Sequence, residues 1–550
     1  MKVCLLYEDR ERLKDNVYYD TASIIQDLGL KALFLAASKE VIYENGAVKK
    51  VGTEDPYLAD TLRKIMMCPL TTENEIVFRQ GIAADSLNAP ELMRELYQIS
   101  NRVIAKWNEL GRGAWNRTQQ SNPVTKLISD IRILHLFCDS LSEIRELLTR
   151  QETLSSKGMC AFRNELCNAF SKEREENIRK MLDDISFYTD GLDRKDEGKD
   201  QVVRPRIVLE CGLEDGLKFS SMKIQEVSSR STKYLRKGST RDKIQKFLDS
   251  RIPDSFSTVE DVRIQEQTLQ LEFGVVSHLV KKMKGFLDEF QTFFDQLKFQ
   301  SAFYLGAVQL KQHMDRFSME YCFPEVCDQR DLSFVNLKEF VMGLEQRVRV
   351  IGNTTSLQQK DLLIVTGANQ GGKSTFLRSI GIAQVMMQCG LPVTAARFQS
   401  GIFPRIFVHF TRREDSAMNS GRLDEELSRM NGIVEHIGEG SLVLLNESFA
   451  TTTEKEGALI AYDIIRALKE AGVRILTVTH LLSFAKRVYE ETKDNPDAGV
   501  EFLSAERRED GTRTYHMIES EPELTSFGLD IYDRVVGKVV NENTETVRCK

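Results

Sequence analysis

The chain has 550 residues, and its 75 Lys and Arg against 82 Asp and Glu give a formal net charge of −7. Apolar residues make up 41% and charged residues 29%, a composition typical of a folded, helix-rich protein of about three or four domains, which excludes a mainly disordered chain. No apolar run approaches the ~18–20 residues that cross a bilayer, and the first residues become charged too early for a secretory signal peptide. We therefore expect a cytoplasmic protein that makes no membrane contact.

The ten cysteines carry no CxxC pair and no zinc-finger spacing with histidine. We therefore expect buried thiols and not a cysteine metal site. The mild overall acidity argues against a protein that coats nucleic acid indiscriminately, although a local basic patch can still bind it.

Residues before about 330 predict mainly helices. Residues 86–110 form a predicted helix with a proline near its first turn. Residues 126–151 carry apolar side chains at steps of three and four, which predicts a helix that packs against another helix. From Pro253 to about Arg316 a longer helical zone follows, long enough to act as a lever. Its apolar stripe comprises Ile264, Leu271, Val275, Leu279, Met283, Phe286, Phe290 and Leu297.

A segment with a strand-like sequence pattern lies between these predicted helices. Residues 201–227 contain strand-like runs around a glycine-containing turn. The next segment, residues 230–246, holds seven basic residues and one acid, a charge density that suits contacts with DNA phosphates without reading of sequence. A solvated charged surface explains the same run equally well, so both interpretations stay open. The basic residues are Arg230, Lys233, Arg236, Lys237, Arg241, Lys243 and Lys246.

Residues 331–540 alternate between strands and helices, and the first strand leads into a phosphate-binding loop. Leu362 to Val365 is apolar, and residues 367–374 satisfy GxxxxGK[ST] with a helix after them. The loop's N–H groups and the positive end of that helix are expected to surround phosphate oxygens. Lys373 is expected to reach the β- and γ-phosphates, and the Ser374 hydroxyl to ligate Mg²⁺. The predicted ATP-binding residues are Gly367, Ala368, Asn369, Gln370, Gly371, Gly372, Lys373, Ser374 and Thr375.

A second strand, residues 441–445, ends in Asn446 and Glu447. In nucleotide hydrolases an acidic pair at this place holds the Mg²⁺ shell and polarises the attacking water. We therefore predict Glu447 as the general base and Asn446 as an uncharged member of the metal shell, which implies weaker Mg²⁺ affinity or slower turnover. His480 ends a third strand and is predicted to sense the γ-phosphate. The predicted catalytic residues are thus Glu447, Lys373 and His480.

These motifs resemble those of the MutS family of ATPases. TGANQGGKST, residues 366–375, is similar to the family's TGPNxxGKST, with Ala368 in place of proline. LVLLNESFATTTEKEG, residues 442–457, follows the family's strand, acidic pair, threonine-rich loop and glycine. Four more segments resemble parts of its ATPase domain, helical core and levers, so the likeness covers most of the chain. They are THLLSFA at 479–485, SFGLDIYDRVVG at 526–537, CPLTTENEIVFRQ at 68–80 and FDQLKFQSAFYLGAV at 294–308.

The resemblance implies a multidomain α and α/β protein. Residues 1–330 would form a helical core and lever domain with a small strand-containing clamp insert at about 200–255, and residues 331–550 a P-loop, ABC-type α/β ATPase domain. It also implies a dimer that buries ATP between two ATPase domains, closes on ATP binding and moves the levers. Gly421 and Arg422 match the segment that reaches the partner's γ-phosphate.

Several departures from the family pattern qualify this expectation. Mismatch-reading members carry an N-terminal domain with a Phe-x-Glu wedge and a connector domain, and we expect room for neither here. Nor do we expect room after residue 540 for a helix-turn-helix dimerisation domain or an Smr-type nuclease. Leu423 and Asp424 stand where the partner-facing segment has hydroxyl residues. Val350 stands where the family often has an aromatic that stacks on adenine.

Three functions fit these observations. The first is an ATP-gated clamp, a homodimer by default, that holds duplex or branched DNA in repair or recombination without reading mismatches. The second is a ribosome- or RNA-associated ATPase, although no RNA-stacking motif supports it. The third is a regulatory ATP-binding protein with attenuated hydrolysis, suggested by Asn446. Nucleotide-dependent DNA binding, sedimentation with ribosomes and ATP turnover separate the three.

Overall fold

The structure is a computed structural model and describes residues 3–8, 17–39, 41–44, 47–115, 123–193, 206–214, 218–228, 259–346, 349–411, 421–508 and 511–522. The chain divides into two compact units. The first unit comprises Met1–Val3, Arg94–Glu152 and Ala161–Lys298, and the second unit comprises Cys4–Met93, Thr153–Cys160 and Phe299–Lys550. The division into a lever domain over residues 1–330 and an ATPase domain over residues 331–550 stays a prediction.

Helices dominate the described residues before 317, with two short hairpins between them. In chain order the elements are α1 (Thr21–Asp27), α2 (Leu30–Ala37), β1 (Val41–Glu44), β2 (Ala47–Val51), α3 (Pro56–Met66), α4 (Glu73–Asn88), α5 (Pro90–Trp115), α6 (Pro123–Arg150), α7 (Lys157–Ala169), α8 (Lys172–Asp193), β3 (Arg206–Glu214), β4 (Lys218–Ser228) and α9 (Val259–Arg316). The antiparallel pair β3–β4 confirms strand structure in the predicted insert, while the seven basic residues from Arg230 to Lys246 lie outside the described residues.

The remaining elements alternate between strands and helices. They are β5 (Glu325–Val326), β6 (Leu332–Leu337), α10 (Phe340–Gln346), β7 (Asn353–Leu357), β8 (Leu362–Gly367), α11 (Lys373–Gln388), β9 (Arg397–Ser400), β10 (Ile406–Phe410), α12 (Arg422–His436), β11 (Leu442–Asn446), α13 (Glu454–Glu470), β12 (Arg474–Val478), α14 (Leu482–Thr492), β13 (Val500–Arg507) and β14 (Arg513–Glu519). The expected combination of helical and α/β structure is therefore present. Among the helices described, none is both long and apolar enough to cross a membrane.

Local sequence explains where α5 begins and how α6 packs. The predicted helix over 86–110 is split, because α4 continues to Asn88 and α5 starts at Pro90, whose fixed φ suits a first helical turn. The predicted helix–helix contact of α6 is confirmed, since Leu127 and Ile131 are buried against Val280 and Met283 of α9.

Aromatic rings continue the core of the first unit. Phe137 of α6 stacks on Trp107 with ring centroids 5.4 Å apart and on Phe294 at 5.3 Å. The apolar stripe predicted for α9 is wrong at Phe286, which is 63% exposed. The neighbouring Leu287 is buried instead, because it projects from a different face of the helix than Phe286 does.

A six-stranded sheet forms the centre of the second unit, with the order β10-β11-β12-β8-β13-β14. The first five strands run parallel and only β14 is antiparallel. Every residue of β8, β10 and β12 is buried, as expected for parallel strands with both faces covered. Because β11, β12 and β8 are neighbours, the loops at their carboxyl ends meet at one edge of the sheet, where ligands bind in open α/β sheets.

A second, four-stranded sheet with the order β5-β9-β6-β7 belongs to the same unit. Residues Cys4–Met93 belong to this unit too. Arg79 is fully buried, and its Nε and Nη2 donate to Leu6 O at 3.1 and 3.0 Å. Its Nη1 donates to Cys389 O at 3.4 Å, and the guanidinium lies over the rings of Tyr7 and Phe303. This one side chain therefore joins residues 5–7 to the end of α11.

Candidate active site

The loop after β8 has the tight curvature predicted for it. Gly367 and Gly372 have φ of 108° and 91°, and Gln370 has φ of 60°, a region that glycine adopts without steric cost. A Cβ atom at Gly367 would lie 2.8 Å from the backbone nitrogen of Ala505, which leaves no space for a side chain. The loop leads directly into α11, so the first N–H groups of that 16-residue helix face the loop.

Lys373 is buried at the start of α11, with 4% of its surface exposed. Its Nζ donates to Gly367 O at 2.8 Å and to Ala368 O at 3.0 Å. Both acceptors belong to the loop itself, so the ammonium group stays inside the curve of the loop. An ammonium held there adds a full positive charge to the partial charges of the helix N-terminus, which favours an anionic ligand.

Glu447 and His480 meet at the carboxyl ends of β11 and β12. The backbone N–H of Glu447 donates to Val478 O at 2.8 Å, which fixes the residue beside the end of β12. His480 Nε2 then donates to Glu447 Oε1 at 2.8 Å. The two side chains are 34% and 29% exposed, so both remain accessible to a ligand.

The electrostatic environment keeps Glu447 ionised. Its hydrogen bond with His480 lowers the pKa of the Glu447 carboxyl below the usual value, and the positive charge of Lys373 acts in the same direction. Burial opposes this shift but does not outweigh it. A carboxylate that stays charged at neutral pH can accept a hydrogen bond from a water molecule, which a general base must do.

Asn446 is the last residue of β11, and its side-chain Oδ1 is buried without a hydrogen-bond donor. Buried polar atoms are normally satisfied, so an acceptor in this state indicates a partner supplied by something other than the protein. Mg²⁺ prefers oxygen ligands and usually keeps several of its water molecules when it binds to a protein. Asn446 and the Ser374 hydroxyl are therefore of the oxygen-donor type that fits a hydrated Mg²⁺ ion. In the described part of the chain, no group of three His, Cys, Asp or Glu could hold a metal by itself.

One cavity of about 430 Å³ brings most of the predicted site residues together. Glu447, His480 and residues 369–375 line it, whereas Gly367, Ala368 and Asn446 are not among its lining residues. Gly421 and Arg422, at the start of α12, are exposed and are not part of its lining either. Segment 526–537 lies outside the described residues.

Sequence reasoning missed other residues that line the same cavity. Val350 was singled out, but Leu337, Glu339, Met342, Arg349, Ile351, Asn353 and Tyr515 also line the cavity. Tyr515 is 46% exposed and has φ of 63°, and its carbonyl accepts a hydrogen bond from Asn353 Nδ2 at 3.2 Å. Its ring lies against the loop, since a Cβ atom at Gly372 would be 3.4 Å from Tyr515 Cδ1. Nothing in the spacing of these residues along the chain indicates that they share a site.

Two families match this chain. Residues 363–547 match MutS domain V, and residues 71–317 match the MutS2 N-terminal domain. The first match begins inside β8 and includes the phosphate-binding loop, Glu447 and His480. The second match extends from just before α4 to the end of α9.

Individual relatives are similar over shorter stretches. Endonuclease MutS2 of Carboxydothermus hydrogenoformans is 30% identical over 201 residues, 36% of this chain and 25% of that protein. Endonuclease MutS2 of Streptococcus thermophilus is 26% identical over 238 residues, 42% of this chain and 29% of that protein. DNA mismatch repair protein MutS of a Synechococcus strain is 36% identical over 121 residues, 22% of this chain and 14% of that protein. The similarity thus spans less than a third of each relative's length.

Proposed function

This chain belongs to the MutS family, and from that premise we propose that it binds and hydrolyses ATP with Mg²⁺ and couples this reaction to binding of duplex or branched DNA. The observation that carries the proposal is the meeting of Lys373, Glu447 and His480 in one cavity at the carboxyl ends of three neighbouring parallel strands. Ligands of open α/β sheets bind at that edge. The relatives named for DNA mismatch repair and as endonucleases support DNA as the partner.

The loop and α11 bind the triphosphate in this proposal. Backbone N–H groups of residues 369–375 donate to phosphate oxygens, and the helix N-terminus favours their negative charge. Lys373 exchanges its two neutral carbonyl acceptors, Gly367 O and Ala368 O, for charged phosphate oxygens. Hydrogen bonds between two charged groups are stronger than those to a neutral carbonyl, so this exchange favours binding.

Glu447 acts as the general base and His480 as its positioning partner. The carboxylate accepts a proton from a water molecule aligned for attack on the γ-phosphate. His480 holds the carboxylate through Nε2, 2.8 Å from Oε1. Ser374 and Asn446 would hold Mg²⁺, which supplies charge neutralisation at the phosphates when bound. Asn446 brings no charge of its own, so turnover is expected to be slow.

The part of the cavity lined by Tyr515 and Val350 holds the adenine ring of ATP in this proposal. Leu337, Met342, Val350 and Ile351 offer an apolar surface, and the half-exposed ring of Tyr515 supplies an aromatic face. Aromatic faces bind flat rings by offset stacking. The Tyr515 ring can therefore replace the adenine-stacking aromatic side chain that the family often has at the position of Val350.

The DNA-dependent part of the proposal rests on the long α9, the β3–β4 hairpin and the basic residues from Arg230 to Lys246. A dimer that closes on ATP would move the tips of its helices around DNA, and the basic residues would contact phosphates. A homodimer is the simplest arrangement, with Gly421 and Arg422 facing the partner's nucleotide.

The decisive experiment measures ATP hydrolysis and DNA binding by the full chain. Labelled homoduplex, single-mismatch duplex and four-way junction are titrated in ATP, in ADP and without nucleotide, each at two salt concentrations. We expect nucleotide-dependent binding that weakens with salt, without preference for the mismatch. A clear preference for a single mismatch over homoduplex would contradict the proposed DNA target, and a protein that binds no DNA would redirect the search to RNA and ribosomes.

Two variants connect the measured activity to the cavity. Lys373→Ala should abolish nucleotide binding. Glu447→Gln should keep nucleotide binding but lower the rate of ATP hydrolysis by at least about 100-fold, because only the general base is removed. Hydrolysis that survives Glu447→Gln would show that another group activates the water.

Asn446 also leaves room for a second function, a regulatory protein with attenuated hydrolysis. An aspartate at this position would restore a charged member of the Mg²⁺ shell. Asn446→Asp should therefore raise the turnover at low Mg²⁺ concentration if the protein is an enzyme with a weakened metal site. An unchanged rate would favour the regulatory function.

A further inference from the structure

The turn that carries Glu447 has an unusual backbone. Glu447 has φ of 55° and Phe449 has φ of 66°, a left-handed conformation that residues with a side chain seldom adopt. Two such residues within three positions form a strained turn. Strain of this kind persists only where surrounding contacts hold the backbone in place, and it is concentrated at functional sites.

Contacts from the end of β10 hold this turn on one side. Ser448 Oγ lies 2.7 Å from His409 Nδ1 and 3.0 Å from His409 O. Phe449 is buried, and its ring stacks on His409 with centroids 5.9 Å apart. The Thr411 hydroxyl donates to Glu447 O at 2.7 Å. The position of Glu447 therefore depends on groups that the predicted motif does not include.

Glu426 of α12 touches these same groups from the other side. Its side chain is 5% exposed, and its Oε2 accepts a hydrogen bond from Thr451 at 2.7 Å. Its Oε1 lies 3.2 Å from the Thr411 hydroxyl, whose single proton also has Glu447 O at 2.7 Å and Asn446 O at 3.3 Å as acceptors. Its backbone carbonyl lies 3.2 Å from His409 Nε2.

We propose that Glu426 is a positioning residue, which holds the strained turn of Glu447 and couples it to helix α12. The inference rests on the proposed function and adds to it how the site is regulated. Glu426 lies about one helical turn after Arg422, where α12 begins beside the segment expected to face a partner's nucleotide. Because a helix is rigid, a displacement of the first turn of α12 also moves Glu426. This movement loosens or tightens the hydrogen bonds that Glu426 makes with Thr451 and Thr411.

The test compares steady-state ATP hydrolysis by wild-type protein, Glu426→Ala, Thr451→Val and the double variant. Because Thr451 acts through its hydrogen bond to Glu426, and this is the shortest contact of the Glu426 carboxylate with the turn, we expect kcat to fall by about 10- to 100-fold in each single variant, as a misplaced catalytic group would cause. The double variant should be no slower than the worse single variant. KM for ATP should change by less than about two-fold, since the phosphate-binding loop is untouched.

Two further variants separate positioning from a general loss of stability. Thr451→Ser keeps the hydroxyl and should restore kcat, while Glu435→Ala removes an exposed carboxylate from the same helix and should leave both constants at the wild-type value. If Glu426→Ala does not fold, the Thr451→Val and Thr451→Ser pair decides the question.

The outcomes distinguish this inference from the proposed function. Wild-type hydrolysis with unchanged kcat in Thr451→Val and in folded Glu426→Ala overturns the inference and leaves the ATPase intact. Equal losses in kcat and in ATP affinity, together with a lower melting temperature, assign the network to folding and also overturn it. Absence of hydrolysis in the wild-type protein overturns both.

Discussion

At the scale of single residues, the charge of Glu339 conflicts with its buried surroundings. It is 1% exposed at the start of α10, and its Oε1 lacks a hydrogen-bond donor. Burial raises the pKa of Glu339 to about 7, a shift opposed by the Met342 N–H and by Arg378, 4.0 Å away, and assisted by Glu345. Folding therefore favours the protonated form of this carboxyl.

The raised pKa gives stability a definite dependence on pH. Because the native state binds this proton more tightly than the unfolded chain, the favourable contribution is complete below pH 4.5 and is lost as pH rises through about 7. The change is on the order of 3 kcal/mol. Glu339→Gln keeps an acceptor for the helix N-terminus but cannot ionise. We expect urea unfolding at pH 5 and pH 8 to show this loss in the wild-type protein and a smaller one in the variant.

Substitution of Tyr515 tests how the adenine ring of ATP is bound. Replacement by leucine keeps an apolar side chain but removes the aromatic face, so the dissociation constant for ATP should rise by about 2- to 10-fold, the range expected for one stacking contact. Tyr515→Phe keeps the ring and should bind ATP like the wild type. If a calorimetric titration gave the same ATP affinity for all three proteins, the adenine ring would not stack on residue 515.

At the scale of elements, the phosphate-binding loop depends on the close approach of β13. Gly367 has φ of 108°, and any Cβ atom there meets the backbone of Ala505. Gly367→Ala should therefore distort the loop and weaken ATP binding by at least about 10-fold, since the strained backbone must shift. Gly285→Ala is the matched control, because nothing lies within 4 Å of a Cβ at that helical position. A titration that shows normal affinity for Gly367→Ala would mean that the loop adapts.

The elements also show how far sequence can predict this site. The phosphate-binding loop, Glu447 and His480 were predicted because each directly follows an apolar strand. The order of the sheet, with β11, β12 and β8 as neighbours, brings the carboxyl ends of these strands together. Tyr515 and Glu339 were missed because they reach the cavity through β14 and α10, whose positions depend on tertiary packing. Glu426 was missed for the same reason, since a carboxylate on a charged helix face normally indicates solvent. The division between α4 and α5 at Ala89 also escaped the helical pattern, which continues across it.

At the scale of the molecule, the buried Arg79 is the clearest link between distant parts of the second unit. Arg79→Ala would leave Leu6 O and Cys389 O without their donor and open a cavity beside Phe303. We expect a loss of about 3 kcal/mol or more in the free energy of unfolding. Arg63→Ala removes an exposed ion pair with Asp60 and should cost less than about 1 kcal/mol. Similar denaturant midpoints for the two variants would contradict this view of Arg79.

The stacking of Trp107 on Phe137 has a spectroscopic consequence. The chain has two tryptophans, at positions 107 and 115, and both belong to the first unit, whereas the cavity is lined by residues of the second unit. Indole emission is therefore a natural reporter of the first unit alone. A change in its wavelength or intensity when ATP is added would record, without any dye or engineered label, a response of the first unit to a ligand proposed to bind in the second.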